Sequence, residues 1–200
     1  MDEQTDDDAA LMLRVAAGDT TAFAALYDRH HRSVARFAHR FVQDGGKAEE
    51  LTQDIFVKLY RHAGRYRPTG RFKTFLFRVA ANHCLNEVRK GEYRVTHVSE
   101  QGEEGRPVET PAPEAHGPDR AAEGRELEAT VAAALQRLSE RERTAFALCR
   151  FEGMAYRDIA EVLSASEAAV KSLIHRATLS VARAVEGWQA GAQGPARSEA

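Results

Sequence analysis

The 200-residue sequence has little of what marks secreted, membrane-spanning or disulfide-bonded proteins. Its two cysteines, Cys84 and Cys149, lie in separate segments without a pairing pattern, as is typical of reduced thiols in a cytoplasm. No apolar run approaches the roughly 18–20 residues of a membrane span, and the acidic amino terminus is the opposite of a cationic signal peptide. These absences predict a cytoplasmic protein.

Sets of residues that could bind a metal or perform catalysis are also missing. The eight histidines form no ligand-spaced group with the cysteines. Adjacent pairs such as His30-His31 and His83-Cys84 point to different sides of a helix. The sequence supports no arrangement of nucleophile, acid and base. We therefore expect no metal, no cofactor and no enzymatic activity.

The sequence lacks a strong net charge of one sign, since its formal charge is −2. Charge is instead sorted by position, and residues 58–94 carry ten lysines and arginines against two acids, a net of +8. Residues 95–130 carry nine acids against three arginines, a net of −6. A concentrated basic segment in a nearly neutral chain is the electrostatic pattern of a phosphate-binding surface.

Proline is rare, and four of the six prolines lie within residues 95–120, where Gly and Glu are also frequent. This segment has no apolar periodicity and predicts a flexible acidic linker. The composition elsewhere favours helix, so the predicted fold is all-α, with two small helical domains. The predicted division is a disordered acidic tail at 1–8, an amino-terminal four-helix domain at 9–94, the linker at 95–120, a carboxyl-terminal four-helix domain at 121–188 and a disordered tail at 189–200.

Apolar periodicity places four helices in each domain. In the amino-terminal domain they are predicted at 9–17, 21–42, 47–62 and, after a loop punctuated by Pro68 and Gly70, from about 72 to 94. In the carboxyl-terminal domain they are predicted at 121–136, 140–151, 155–163 and 167–186. Ser139 and Glu142 form a capping box, and Ser166 is a suitable N-cap. The last two helices, joined by a tight turn, form a helix-turn-helix candidate.

The basic segment contains a helix with one cationic stripe. At about 100° per residue, five side chains fall on one narrow line: Arg71, Phe75, Arg78, Asn82 and Arg89. The rest of this helix is apolar and should be buried. Cations, an aromatic ring and an amide together suit a nucleic-acid backbone and an unpaired base. The alternative is a core helix whose arginines are merely solvated.

Two other helices have polar faces that suit charged partners. The third helix has an acidic-amide face made of Glu50, Gln53, Asp54 and Val57. This face suits a cationic partner, although a solvated face is the ordinary alternative. The outward residues of the final helix are Lys171, Ser172, His175, Arg176 and Arg183, and no acid occurs between Ala168 and Val185. That pattern favours a helix that binds in the DNA major groove over an ordinary amphipathic helix that only packs in a bundle.

Five short motifs occur in a fixed order along the chain. They are Glu50-Leu-Thr-Gln-Asp-Ile-Phe56, Phe72-Lys-Thr-Phe-Leu-Phe-Arg-Val-Ala-Ala-Asn82, Leu138-Ser-Glu-Arg-Glu-Arg143, Gly153-Met-Ala-Tyr-Arg-Asp-Ile-Ala160 and Val170-Lys-Ser-Leu-Ile-His-Arg-Ala177. Each motif alone is weak, but the five occur at suitable separations with the linker between the second and the third. Over about 11–93 and 122–186 the chain resembles the extracytoplasmic-function (ECF) group of bacterial RNA polymerase sigma factors.

The resemblance implies a factor that binds core RNA polymerase and directs it to promoter DNA. The segment that docks on the clamp helices of the largest polymerase subunit is matched by Glu50, Gln53, Asp54 and Val57. The segment that opens the −10 element and captures a flipped base is matched by Arg65, Tyr66, Arg67, Arg71, Phe72, Lys73, Phe75, Arg78, Asn82 and Arg89. The positions that read the −35 element are matched by Ser166, Lys171, Ser172, His175 and Arg176.

The resemblance also implies a second polymerase contact at the flap and an anti-sigma factor as a partner. It implies a monomer that makes no membrane contact of its own and lies on the nucleoid when bound to polymerase. The chain departs from the usual residues of the family at several positions. This chain has Phe75 where the family usually has Trp, and Ala155 where it has Ser or Thr. It has Ser164 in place of Gly and Leu173 in place of a basic residue. The smaller Phe75 ring reduces the stacking surface at the melting site.

Two other functions remain open on the sequence alone. A helix-turn-helix regulator that acts without polymerase docking would bind its operator alone, and it would leave the stripe of the amino-terminal domain unexplained. A protein-only helical adaptor would place the stripe against an acidic partner, and it would show no salt-dependent affinity for promoter DNA.

Overall fold

The computed structural model describes residues 3–97 and 118–192. Within these two ranges the chain is helical and contains no strand, so the predicted all-α fold is confirmed. The elements are α1 (Glu3–Ala16), α2 (Thr20–Val42), α3 (Gly45–Arg61), a 3-10 turn (Ala63–Arg65), α4 (Phe72–His97), α5 (Pro118–Gln136), α6 (Glu140–Arg150), α7 (Tyr156–Leu163) and α8 (Glu167–Ala192). None of the helices in these ranges combines the length and apolar character that crossing a bilayer requires.

Aromatic rings from α2, α3 and α4 form much of the core of the amino-terminal domain. α2 lies against both α3 and α4, and α1 lies against α2. The side chains of Phe37, Phe56, Phe72 and Phe77 are buried there. Phe37 meets Phe77 edge to face, with ring centroids 5.4 Å apart. Because burying one such side chain contributes roughly 1.5–3 kcal/mol, these rings determine how α4 is rotated in the domain.

The carboxyl-terminal domain is organised around α8, which lies against α5, α6 and α7. The buried Arg143 side chain of α6 donates hydrogen bonds to the carbonyl oxygens of Leu135, Gln136 and Leu138 at distances of 2.9, 2.9 and 3.3 Å. These carbonyls lie at the end of α5 and in the turn that follows it, where a helix leaves acceptors that need partners. Arg143 therefore joins the end of α5 to α6.

The helix starts in this domain agree with the sequence prediction. Ser139 and Glu142 form the predicted capping box of α6. The Ser166 hydroxyl accepts a 3.2 Å hydrogen bond from the Ala169 N–H at the start of α8. Ala155, at the start of α7, makes no side-chain cap. Hydrogen bonds between a side chain and the nearby backbone thus fix where α6 and α8 begin, whereas the start of α7 depends on packing.

The two domains pack against each other, which no pattern in the sequence indicated. α7 lies against α4, α5 lies against α2, and one apolar core runs from the first domain into the second. The Arg40 guanidinium lies 3.7 Å from the centroid of the Phe151 ring. Gln136 donates a 2.9 Å hydrogen bond to the Arg40 carbonyl oxygen. Apolar, cation–π and hydrogen-bond contacts therefore all join the domains.

The prediction of a disordered tail at 1–8 is wrong for residues 3–8, which belong to α1. The buried Asp8 carboxylate forms 2.8 Å hydrogen bonds with Arg29 Nη1 and with His30 Nε2. Burial is the largest influence and favours the neutral acid. Hydrogen bonds from His30 and Arg29, with the charges of these residues, outweigh burial and hold the pKa of Asp8 below its ordinary value. This long-range pairing attaches α1 to α2.

Three other helix ends also differ from the prediction. α8 runs to Ala192, so residues 189–192 are helical and not part of a disordered tail. α4 continues to His97, and α5 begins at Pro118. A glycine inside a helix costs only about 1 kcal/mol, so Gly191 does not end α8. The remainder of the predicted linker and of the predicted tail, 98–117 and 193–200, lies outside the described residues.

Replacing Asp8 by Asn should destabilise the protein at neutral pH by about 1.5–3 kcal/mol, the range for hydrogen bonds to charged groups. Because the folded pKa is depressed, the stability from Asp8 is present above its unfolded pKa of about 3.9. That stability is lost as the pH falls through the folded pKa. Urea unfolding at a series of pH values should therefore show the variant and the wild type converging in acid.

The matched control is Asp7→Asn, which removes only an exposed ion pair with Arg29. Such a pair contributes about 0–1 kcal/mol. An Asp8→Asn loss no larger than the control, or one that does not change with pH, would contradict the anchoring role of Asp8.

Replacing Ser164 by Gly should raise the free energy of unfolding by about 0.5–1 kcal/mol. Ser164 ends α7 in the left-handed region, with φ 48° and ψ 53°. That conformation costs an L-residue roughly 1–2 kcal/mol, whereas Gly loses about 0.5–1 kcal/mol more conformational entropy than Ala on folding. The control is Ser180→Gly within α8, which should lower stability. Equal urea midpoints for the two variants would count against strain at Ser164.

Candidate nucleic-acid interface

The stripe predicted from the sequence lies on the surface of α4. Phe75, Arg78 and Asn82 follow one another at helical spacing along one face. Arg78 and Asn82 are exposed, and Phe75 is half-buried. The Phe75 ring lies 5.0 Å from the Tyr66 ring, and the Arg78 guanidinium lies 6.0 Å from the Phe75 centroid. An aromatic ring, a cation and an amide are thus presented together at the surface.

Two residues that are predicted to contact DNA have their rings in the core of the domain instead of at the surface. Phe72 is 0% exposed and Tyr66 is 3% exposed, with ring centroids 6.3 Å apart. Burial raises the pKa of Tyr66, and the charge of Asp8 adds to that shift. Both rings pack in the core under the loop that joins the 3-10 turn to α4. Arg65 and Arg67, by contrast, are exposed on the same loop.

Three further predicted contacts form ion pairs with acids of the carboxyl-terminal domain. The pairs are Arg71 Nη1 with Asp158 Oδ2 at 3.7 Å, Lys73 Nζ with Glu152 Oε2 at 3.4 Å, and Arg89 Nη2 with Glu140 Oε2 at 3.0 Å. Lys73 also donates a 2.6 Å hydrogen bond to the Glu152 carbonyl oxygen. Sequence reasoning missed these acids, because no local pattern distinguishes them among the 30 Asp and Glu residues of the chain.

The acidic-amide face of α3 is exposed, as the helical pattern predicts. Its members Glu50, Gln53, Asp54 and Val57 all face solvent, while Leu51, Ile55 and Leu59 are buried on the opposite side. Val57 is 44% exposed and is among the large apolar side chains left at the surface. The face therefore combines two carboxylates and an amide with one apolar contact.

A buried histidine behind the α3 face was missed by sequence reasoning. His83 Nε2 of α4 lies 3.4 Å from Asp54 Oδ2, and Lys58 Nζ contacts Nδ1 of the same ring. Burial, followed by the charge of Lys58, lowers the pKa of His83, although Asp54 and Glu87 oppose the shift. The lowered pKa favours the neutral form of the ring at pH 7. The only sign of this burial in the sequence was the position of His83 among apolar residues of α4.

The residues predicted to read DNA from the carboxyl-terminal domain are all at the surface. They are Ser166, Lys171, Ser172, His175 and Arg176. Arg176 Nε donates a 2.6 Å hydrogen bond to Glu142 Oε1 of α6, and this bond is the main reason why the pKa of Glu142 is lowered. Leu173 is buried against the other helices of the domain. The polar face of α8 is thus outward, and Leu173 has a packing role.

Two family models match the chain in the order of its two domains. Sigma-70 region 2 matches residues 26–93, and Sigma-70, region 4 matches residues 129–179. The first match contains the α3 face and the α4 stripe. The second contains α6, α7 and the first half of α8, including the residues predicted to read DNA.

Curated relatives match nearly the whole chain. The RNA polymerase sigma-H factor of Pseudomonas aeruginosa is 33% identical over 186 residues, which are 90% of this chain and 95% of that protein. The ECF RNA polymerase sigma factor SigM of Mycobacterium tuberculosis is 32% identical over 176 residues, 88% of this chain and 83% of that protein.

Solved structures agree on the fold. CnrH in complex with the cytosolic domain of CnrY has a TM-score of 0.67 at 23% identity and covers 90% of this chain and 98% of that chain. The sigma factor RpoE in complex with the anti-sigma factor NepR from Bartonella quintana has a TM-score of 0.63 at 20% identity and covers 82% and 96%. The chain belongs to the extracytoplasmic-function group of RNA polymerase sigma factors, the transcription initiation factors that direct the core enzyme to promoters.

Proposed function

We propose that three exposed surfaces of this chain divide the work of promoter opening. The α3 face of Glu50, Gln53, Asp54 and Val57 binds the clamp helices of the largest polymerase subunit, and the carboxyl-terminal domain meets the flap. The α4 stripe and its loop bind the −10 element, and the polar face of α8 reads the −35 element. The outward placement of all three surfaces supports this division.

The observation that carries the −10 assignment is the exposure of Arg78 and Asn82 beside the Phe75 ring. Unstacking a base costs a few kcal/mol. Stacking on an aromatic ring returns about 1–3 kcal/mol, and the Asn82 amide supplies a donor and an acceptor for a base edge. Because Phe75 is smaller than Trp, capture of the base depends more strongly on Asn82 and on phosphate contacts from Arg65 and Arg67.

The −35 assignment rests on the outward face of α8. Exposed side chains on this face include Lys171, Ser172 and His175. A helix-turn-helix places its second helix in the major groove, where these side chains would contact base edges and phosphates. The Glu142 carboxylate holds the Arg176 guanidinium at the helix surface. This pairing limits the rotamers of Arg176 and prepares its donors for a phosphate or a guanine edge.

The proposed partners follow from the same surfaces. Two carboxylates on the α3 face, Glu50 and Asp54, suit a cationic surface on polymerase. The sigma factor RpoE of Bartonella quintana is in complex with the anti-sigma factor NepR in its solved structure, and we assign an anti-sigma factor to this chain as well. The chain acts as a monomer in the cytoplasm and lies on the nucleoid once polymerase binds it. Bond formation belongs to polymerase, and the chain itself needs no cofactor.

The function is tested by run-off transcription with purified core polymerase on candidate promoters, and the −10 assignment is tested by Asn82→Ala. The variant should bind polymerase and form closed complexes normally. Permanganate reactivity of unpaired thymines should fall about 2- to 10-fold, the value of a lost hydrogen bond.

The matched control for that experiment is Asn86→Ala, which removes an exposed amide one turn further along α4 that the −10 assignment does not include. It should open promoters like the wild type. Normal opening by Asn82→Ala, or equal defects in the two variants, would refute the base-capture role of Asn82. Failure of the wild type to direct initiation at any site would refute the function itself.

The docking assignment is tested by combining Gln53→Ala with Asp54→Ala. Two interface truncations of about 1 kcal/mol each should weaken binding to core polymerase at least tenfold, as measured by anisotropy of the labelled chain. Glu49→Ala also removes one negative charge from α3, but from a position outside the docking face, and should bind normally. An unchanged affinity of the double variant would exclude this face as the docking surface.

A further inference from the structure

A buried histidine of α4 lies between two charged side chains of α3. The His83 residue is 5% exposed, at a place where α4 packs against α3. Its Nε2 atom lies 3.4 Å from Asp54 Oδ2, and its Nδ1 atom contacts Lys58 Nζ. Asp54 and Lys58 are themselves at the surface. One buried ring therefore faces a docking carboxylate with one nitrogen and a neighbouring ammonium with the other.

The contact with Lys58 determines which nitrogen of the ring carries the hydrogen. A lysine ammonium has three donors and no acceptor. Nδ1 must therefore accept from Lys58, and in the neutral ring the hydrogen is on Nε2. Burial, followed by the charge of Lys58, lowers the pKa of His83, against the opposing effects of Asp54 and Glu87. The ring thus keeps Nδ1 free of a proton and available as the acceptor for Lys58.

Packing alone does not explain a histidine at this position. Nε2 is buried and forms no hydrogen bond in the described part of the chain, since 3.4 Å from Asp54 is long for one. A buried N–H without a partner destabilises a fold. The neighbouring residues of α4 that are buried with His83 include Ala80, Ala81 and Cys84. An apolar side chain would suit these surroundings better, so the contact with Lys58 is what distinguishes the histidine.

The spacing of Asp54 and Lys58 on α3 favours an ion pair between them. An acid four residues before a lysine is the better order for such a pair on a helix. The pair would neutralise one of the two carboxylates of the α3 face. Within residues 3–97 and 118–192, however, Lys58 forms no ion pair with a carboxylate, and its ammonium contacts the His83 ring. The ring therefore competes with Asp54 for the same ammonium.

We propose that His83 is a positioning residue for polymerase docking, because it accepts the Lys58 ammonium and leaves the Asp54 carboxylate available to a cationic partner. This proposal rests on the proposed function, which assigns Asp54 to the docking face. Without the ring, Lys58 pairs with Asp54, and polymerase must break that pair before it binds the carboxylate. An exposed pair of this kind is weak, so His83 adjusts the affinity of docking and is not essential for it.

The proposal is tested by His83→Leu and His83→Asn, with binding of the labelled full chain to core polymerase measured by anisotropy. Leucine fills the site without an acceptor and should weaken binding about 2- to 5-fold, the value of one exposed ion pair. Asparagine retains an acceptor near the position of Nδ1 and should recover most of that loss. Urea midpoints of both variants separate a loss of docking from a loss of folding. Equal defects in two folded variants would contradict the acceptor role of His83.

Removal of Lys58 distinguishes positioning from a structural role. Lys58→Met keeps the aliphatic stem and removes the competing charge, so its addition to His83→Leu should restore wild-type affinity. A surface change would not repair a loosened contact between α3 and α4. The matched control adds Arg61→Met instead, which removes an exposed cation two turns beyond Asp54 on the same helix, and it should leave the defect in place. Failure of Lys58→Met to restore binding, or equal rescue by Arg61→Met, would overturn the proposal.

The proposed route through Asp54 is tested in an Asp54→Ala background, where His83→Leu should cause no further loss of affinity. A further loss would show that the histidine acts elsewhere and would refute the positioning role. If Gln53→Ala with Asp54→Ala weakens binding while His83→Leu has no effect, the positioning role is wrong and the docking assignment stands. If that double variant binds normally, the docking assignment falls and the positioning role falls with it.

Discussion

The enclosure of α4 is the constraint on which the other features depend. The helix packs against α2 and α3 of its own domain and against α7 of the other, so its exposed surface is narrow. Phe72 and Phe77 set its rotation by filling the core. Turning the helix would bury the charge of Arg78 without a partner, which costs several kcal/mol. Core packing thus aligns the stripe that the proposed function uses.

Features that depend on neighbouring residues were predictable from the sequence. The capping box of Ser139 and Glu142 is a local hydrogen-bond pattern, and it appears where the pattern predicts it. The exposure of Arg78 and Asn82 follows from the helical period, because apolar residues occupy the other directions. The all-α fold and the order of the two domains follow in the same way from periodicity and composition.

Features that depend on distant residues were not predictable. Tyr66 and Phe72 flank cations in the sequence, and only the packed core shows that their rings turn inward. Asp8 resembles the other acids of its segment, yet α2 brings Arg29 and His30 to it from more than twenty positions away. A residue of this kind receives its role from the tertiary structure, for which a single sequence has no local signal.

The pairing of Lys73 and Arg89 with acids of their own chain changes how the ionic strength of a buffer would act on this protein. Each lysine or arginine that neutralises a phosphate releases small cations condensed on the DNA, and each such contact steepens the fall of DNA affinity with salt by about 0.7 in logarithmic slope for single strands. When that lysine or arginine must first leave a carboxylate, the carboxylate takes up a small cation from solution, so the net release of ions is smaller. Added salt would weaken the carboxylate pairs and the phosphate contacts together, so the affinity of the free chain should depend on salt less steeply than the number of its cations suggests.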